Sequence, residues 1–120
     1  MFSTLVFSLA LLTQAPTGEA ALEGAFGNTV VSTYPDGRTA HLWLQRGGRF
    51  EGEGRSRRHN SGTWRIKGRE LCLRQQRPMP VPLEYCTPIV VARVGGSSWT
   101  ARAVTGETIQ VRVVAGRQGG

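Results

Sequence analysis

"GTWRIKGRELCLRQQRPMPVPLEYC", residues 62–86, holds both cysteines of the chain and one of its three tryptophans. Leu71 and Leu73 alternate with Cys72, and Leu83 and Tyr85 alternate with Cys86. Such period-two alternation marks half-buried strands. If the cysteines stand directly opposite each other, Leu73 faces Tyr85 and Arg74 faces Glu84. One register therefore joins the sulfurs, pairs the charges and keeps the apolar residues on the other face. A slip by one residue would turn one strand's apolar set outward. The stretch reads as a staple rather than a site: a Cys72–Cys86 disulfide on the outer face, closing a loop worth roughly 3 kcal/mol of chain entropy. The tip "RPMPVP", residues 77–82, has three prolines that cannot donate to a ladder, and predicts a stiff extended tongue.

The same pattern extends in both directions. In "TVVSTYPDGRTAHLWL", Pro35 suits a turn corner and Gly37 the left-handed position that closes a three-residue loop, which sets Val30 against Leu42 and Ser32 against Ala40. A loop at Arg46, Gly47 and Gly48 sets Leu44 against Phe50. Gly52 and Gly54 continue on the Phe50 face, where Trp64 is expected to cover them. "RRHNSG" reads as a longer turn. A turn at Lys67 and Gly68 predicts Trp64 opposite Leu71 and Arg65 opposite Glu70. A loop of Thr105, Gly106 and Glu107 predicts Ala103 opposite Ile109, Ala101 opposite Val111 and Trp99 opposite Val113. The terminal "GRQGG" is polar and expected to fray. The sum is an all-β antiparallel meander of about eight strands, forming a small closed or partly open barrel with one disulfide; a two-sheet sandwich is the alternative.

The first residues differ from the rest. Residues 2–12 are apolar except for Ser3, Thr4 and Ser8, too short a run to cross a bilayer and suited to the core of a signal peptide. No Lys or Arg precedes the run. Gly18 and Ala20 fit the small-residue cleavage rule, so residues 1–20 are expected to be a signal peptide and 21–120 a single β-barrel domain. Export agrees with two cysteines that make one disulfide.

The chain carries a net charge of +7, and every basic residue but Lys67 is an arginine. Arginine clusters recognise phosphate and carboxylate by paired hydrogen bonds. Arg55, Arg57 and Arg58, with an outward-facing Trp43 close to arginines, form the candidate binding surface. Trp64 and Trp99 fall on core faces. Export and the lack of stacking aromatics on a shared basic face argue against nucleic acid as a partner.

Reaction chemistry is not legible. His41 and His59 lack an evident base-and-orienter partner, and a catalytic site would need one of them in a cleft with a carboxylate within hydrogen-bond reach. Cys72 and Cys86 lack the close spacing of a structural zinc site. Glu51 and Glu53, beside Arg49 and Arg55, read as a solvated salt-bridge ladder. "GRFEGEGR" has glycines but no following helix to make a phosphate loop. No catalytic residue, metal or cofactor is assigned.

At "GNTVVSTYPDG", "GTWRIKG", "LC" and "YC" the chain resembles small exported proteins of proteobacteria without an assigned function. More faintly, "GTW" at residues 62–64, Cys72, Cys86 and Trp99 before a final hairpin are similar to the bacterial inhibitors of secreted metalloproteases. That resemblance implies an eight-stranded barrel with one disulfide and an N-terminal segment, here residues 21–24, that enters a protease cleft. The expected function is that of a non-enzymatic periplasmic or secreted β-barrel binding an anionic or small apolar partner; the alternative is an inhibitor of a secreted protease or other hydrolase. An open apolar interior favours the first, a filled interior with a protruding terminus the second. Protein recovered from its native host is expected to begin near Ala21 on N-terminal sequencing; an intact Met1 would remove the basis for export.

Overall fold

The computed structural model describes residues 15–119; most of the expected signal segment, residues 1–14, lies outside them. A 3-10 helix, Gly18–Ala25, precedes eight strands: β1 Thr29–Thr33, β2 Thr39–Gln45, β3 Arg49–Glu53, β4 His59–Lys67, β5 Glu70–Arg77, β6 Tyr85–Pro88, β7 Trp99–Arg102 and β8 Thr108–Val114. They form one sheet in the order β6-β5-β4-β3-β2-β1-β8-β7, every neighbouring pair antiparallel. The sheet curls into a barrel with a single seam between β6 and β7. Across that seam the Tyr85 hydroxyl donates to the Arg102 carbonyl. The barrel thus takes the place of the sandwich alternative.

The first two hairpins and the cysteine pair have the expected registers: Val30 opposite Leu42, Leu44 opposite Phe50, and Cys72 opposite Cys86 with Leu73 opposite Tyr85. The disulfide is formed. Two other hairpins shift by two residues. Lys67 pairs with Glu70, so Trp64 faces Leu73 and Ile66 faces Leu71. Gly68, at φ 61°, takes the first central position of the turn, where a positive φ is required and lysine would be strained. In the last hairpin Ala101 faces Ile109 and Trp99 faces Val111. There Gly106, at φ 86°, must be the third loop residue, as the bonds from Ala103 N–H to the Glu107 carbonyl and from Gly106 N–H to the Ala103 carbonyl show. Shifts of two keep every side chain on its face.

Other expectations are corrected. "RRHNSG" is not one long turn: the turn is residues 55–57, and His59 already pairs with Glu53 in β4. Trp64 does not cover the glycines of β3. Asn60 faces Gly52 and Gly62 faces Phe50, and a β-carbon at Gly62 would collide with the Arg74 carbonyl and the Phe50 ring. Arg74 does not pair with Glu84, because the β5–β6 ladder stops at Leu73–Tyr85. Arg65, opposite Cys72, instead grips Glu84 with two bonds of 2.7 and 2.6 Å. The ion pair shields Cys72, which is fully buried although it lies on the outer face. The Arg65 hydrogen bond, with the field of Arg65, Arg74 and Lys67, holds the Glu84 carboxyl below its ordinary range.

The two ends of the barrel differ. At one end Leu22 and Ala25 of the helix pack with Leu44, Trp64, Leu71, Ala92 and Val113 into the main core. The Ala92 N–H bonds the Ala21 carbonyl, and the Phe26 and Trp64 rings lie 5.8 Å apart. Residues 21–24, the segment an inhibitor would insert into a protease, therefore plug the barrel's own end, with Ala21 and Leu22 buried. Replacing Cys72 and Cys86 by serine should lower stability by about 2–4 kcal/mol with the fold retained, measured by denaturant unfolding and circular dichroism.

Candidate functional site

At the end away from the helix the barrel is open. Its lining there combines small residues, Ala40, Gly52, Gly54 and Ala103, with larger apolar ones such as Leu42, Leu73 and Ile109 and with the polar Ser32, Asn60 and Gln75. The space they leave is a cavity of about 310 Å³. A second cavity of about 100 Å³ lies towards the plugged end, and the two share Ser32, Leu42, Leu73, Tyr85 and Ile109 as lining. The larger one is at the lower end of the roughly 300–1,000 Å³ that small-molecule sites occupy.

The rim is apolar as well. The proline tongue presents Leu83, 78% exposed, and the β7–β8 turn presents Val104, 79% exposed; Leu83, Val81 and Val104 all border the same opening. Three turns at this end share one design. In each, the third loop residue is left-handed: Gly37, Arg57 and Gly106. Arg57, at φ 68°, is the one position of the three without glycine.

Arg55 ties these turns together. It donates to Glu107 at 2.6 and 3.2 Å and to Asp36 at 3.3 Å, and its guanidinium lies 4.1 Å above the Tyr34 ring. The Arg55 hydrogen bond, joined by the Thr105 hydroxyl, holds Glu107 below the usual carboxylate range. Burial raises the Tyr34 phenol, against the opposing field of Arg55. The expected binding arginines are thus not equivalent. Arg55 is a latch between turns, and Arg57 donates to Glu53 at 3.1 Å. Among the described residues Arg58 makes no side-chain hydrogen bond or ion pair.

The outer face carries a second cluster that the sequence reading missed. His41, Glu53 and His59 form one cross-strand row over β2, β3 and β4. His41 Nδ1 lies 3.1 Å from one Glu53 oxygen and His59 Nε2 lies 3.3 Å from the other. Glu53, expected in a solvated ladder, is 4% exposed. The misplaced turn hid the row: with His59 in a loop, its cross-strand partner could not be read. The row supplies an imidazole and an orienting carboxylate, but Arg57 shares the Glu53 oxygen with His41 and Gly119 lies against the His41 ring. Cys72, Glu84 and Cys86 also converge. With both sulfurs in the disulfide, this group cannot offer thiolate ligands to a metal.

Trp43 faces outward as the alternation requires, yet it is buried at 4% exposure. Its cover is residues 116–119, which were expected to fray and instead pack against the barrel. Beyond β8 the chain turns back over β1 and β2. The Thr29 hydroxyl donates to the Gly116 carbonyl at 2.7 Å and accepts from the Gln118 N–H and the Trp43 indole. Arg117 lies 3.9 Å above the Trp43 ring and bonds Glu51 at 2.8 Å. Trp43 therefore offers no contact surface while this strap is in place.

No protein-family model, curated protein or solved structure matches this chain. Ending the chain after Ala115 should unprotect the Trp43 indole N–H, which hydrogen exchange by NMR would detect, and cost about 1–3 kcal/mol through the stranded Thr29 and indole groups.

Proposed function

We propose that this chain is a non-enzymatic binding protein of the periplasm or the extracellular space, and that it takes a small apolar molecule into the open end of its barrel. The observation that carries this reading is the larger of the two barrel cavities: open at one end, mostly apolar along its wall and bordered by exposed Leu83 and Val104. Large exposed apolar groups around an opening mark a binding site more often than a free surface. The plug formed by Leu22 and Ala25 gives the cavity a floor, so entry is from one side. The disulfide supports an oxidising compartment.

The hydrolase-inhibitor reading draws no support from residues 21–24, which are occupied within the barrel. A general polyanion surface draws little, since Arg55 and Arg57 already have acidic partners. The His41–Glu53–His59 row reads as a structural clasp: its buried carboxylate is met by His41, Arg57 and His59, and Gly119 covers the His41 ring.

The apolar fluorophore N-phenyl-1-naphthylamine should bind with a saturable rise in emission. Ala40→Trp, which fills the opening from a position opposite Ser32, should abolish it while circular dichroism stays barrel-like. Absence of any saturable signal from the unmutated, disulfide-bonded protein would overturn the reading.

A further inference from the structure

We propose that the molecule held in the barrel is an anionic amphiphile, with its apolar chain in the cavity and its acid group bound at the lip by Arg58. This inference rests on the cavity being a small-molecule site. It starts from the register at the mouth. Phe50 and Gly52 face the interior from β3, opposite Gly62 and Asn60 of β4. The hydrogen bond from Gly54 N–H to the Arg58 carbonyl carries that pairing one step further. Alternation from Asn60 therefore puts Arg58 on the inner register, at the lip, opposite a residue with no side chain.

Four other arginines at this end are committed elsewhere, and Arg77, likewise without a side-chain partner among the described residues, faces outward opposite Ser61. Arg38 bonds Asp36, Arg55 bonds Glu107, Arg57 bonds Glu53 and Arg102 bonds the Gly106 carbonyl. Arg58 is exposed and has no such partner among the described residues. A guanidinium without an acidic partner, above an apolar opening, is complementary to a carboxylate or phosphate head whose tail prefers the cavity.

Asn60 lies one inward step below Arg58, lines the cavity, and likewise makes no side-chain hydrogen bond among the described residues. Its amide is a second donor on the same line. Leu42 stands on the same cross-strand row as Asn60, and Leu73 and Ile109 add to the apolar lining, while Gln75, opposite Gly62, gives its amide to the Met79 carbonyl. A charge at the lip and an amide just inside it thus stand beside a mostly apolar lining, which suits an amphiphile's head and chain.

The test uses the full disulfide-bonded chain, with decanoate and decanol competing against bound N-phenyl-1-naphthylamine. Decanoate should displace the probe at about threefold to tenfold lower concentration than decanol, the range for one charge-assisted contact at a partly solvated site. Arg58→Gln should erase that preference, Arg58→Lys should keep most of it, and Arg77→Gln, on the outer face opposite Ser61, should leave it intact. A second arm compares sedimentation with phosphatidylglycerol and phosphatidylcholine vesicles. Arg58-dependent preference for decanoate assigns a free single-chain acid; Arg58-dependent retention on phosphatidylglycerol alone assigns a membrane lipid; either supports an anionic amphiphile. Equal displacement by decanoate and decanol, with no lipid preference, would overturn the role of the head group and leave the apolar site standing. A probe that never binds removes the site itself.

Discussion

A sheet that closes on itself has one inside, and all eight strands must deliver their apolar residues to it. That constraint governs the whole structure. A strand displaced by one residue would place its polar side chains in the barrel and its leucines in water, whereas a displacement of two leaves the faces as they were. The chain uses this freedom. Gly68 and Gly106 each move their hairpin by two residues to bring glycine to the position that needs a positive φ. The β-branched and aromatic residues on the inner face are still packed inward. Turn chemistry sets the register in steps, and the closed core forbids the odd ones.

The outer face is not simply a solvated surface. Cys72 is covered by the Arg65–Glu84 pair, and Thr29, Trp43 and His41 are covered by residues 116–119. A partial second layer therefore lies outside the barrel, built from polar contacts. It satisfies each buried group: the Trp43 indole reaches Thr29, and the Glu53 carboxylate is met by His41, Arg57 and His59. A small barrel has little apolar area to bury. Closing its outer face with a strap and its longest hairpin with a disulfide compensates for that small core.

The two ends of the barrel solve opposite problems. The helix and residues 89–92 fill one end with apolar side chains. At the other, charged residues hold the rim without filling the opening, because Arg55 joins three turns from above the Tyr34 ring. A mouth braced by ion pairs stays open where a mouth packed with leucines would close. The binding role proposed for the cavity and for Arg58 follows from that asymmetry.

The sequence by itself determined the inner and outer faces of the strands, the disulfide and its register, since alternation and paired cysteines are local signals, but not the start of β4 or the register of two hairpins. It also marked Arg58 as part of a basic group, but not as the member that lacks an acidic partner. Which arginine meets which carboxylate is decided by side chains that cross from one turn to another, as Arg55 does over 52 positions to reach Glu107. The burial of Trp43 and Glu53 was illegible for the same reason. Alternation assigns a face, but only the tertiary path of the last few residues decides whether that face meets water. The cavity, too, belongs to the tertiary structure: its lining comes from seven of the strands and the turns between them, and the space exists only after the ring has closed.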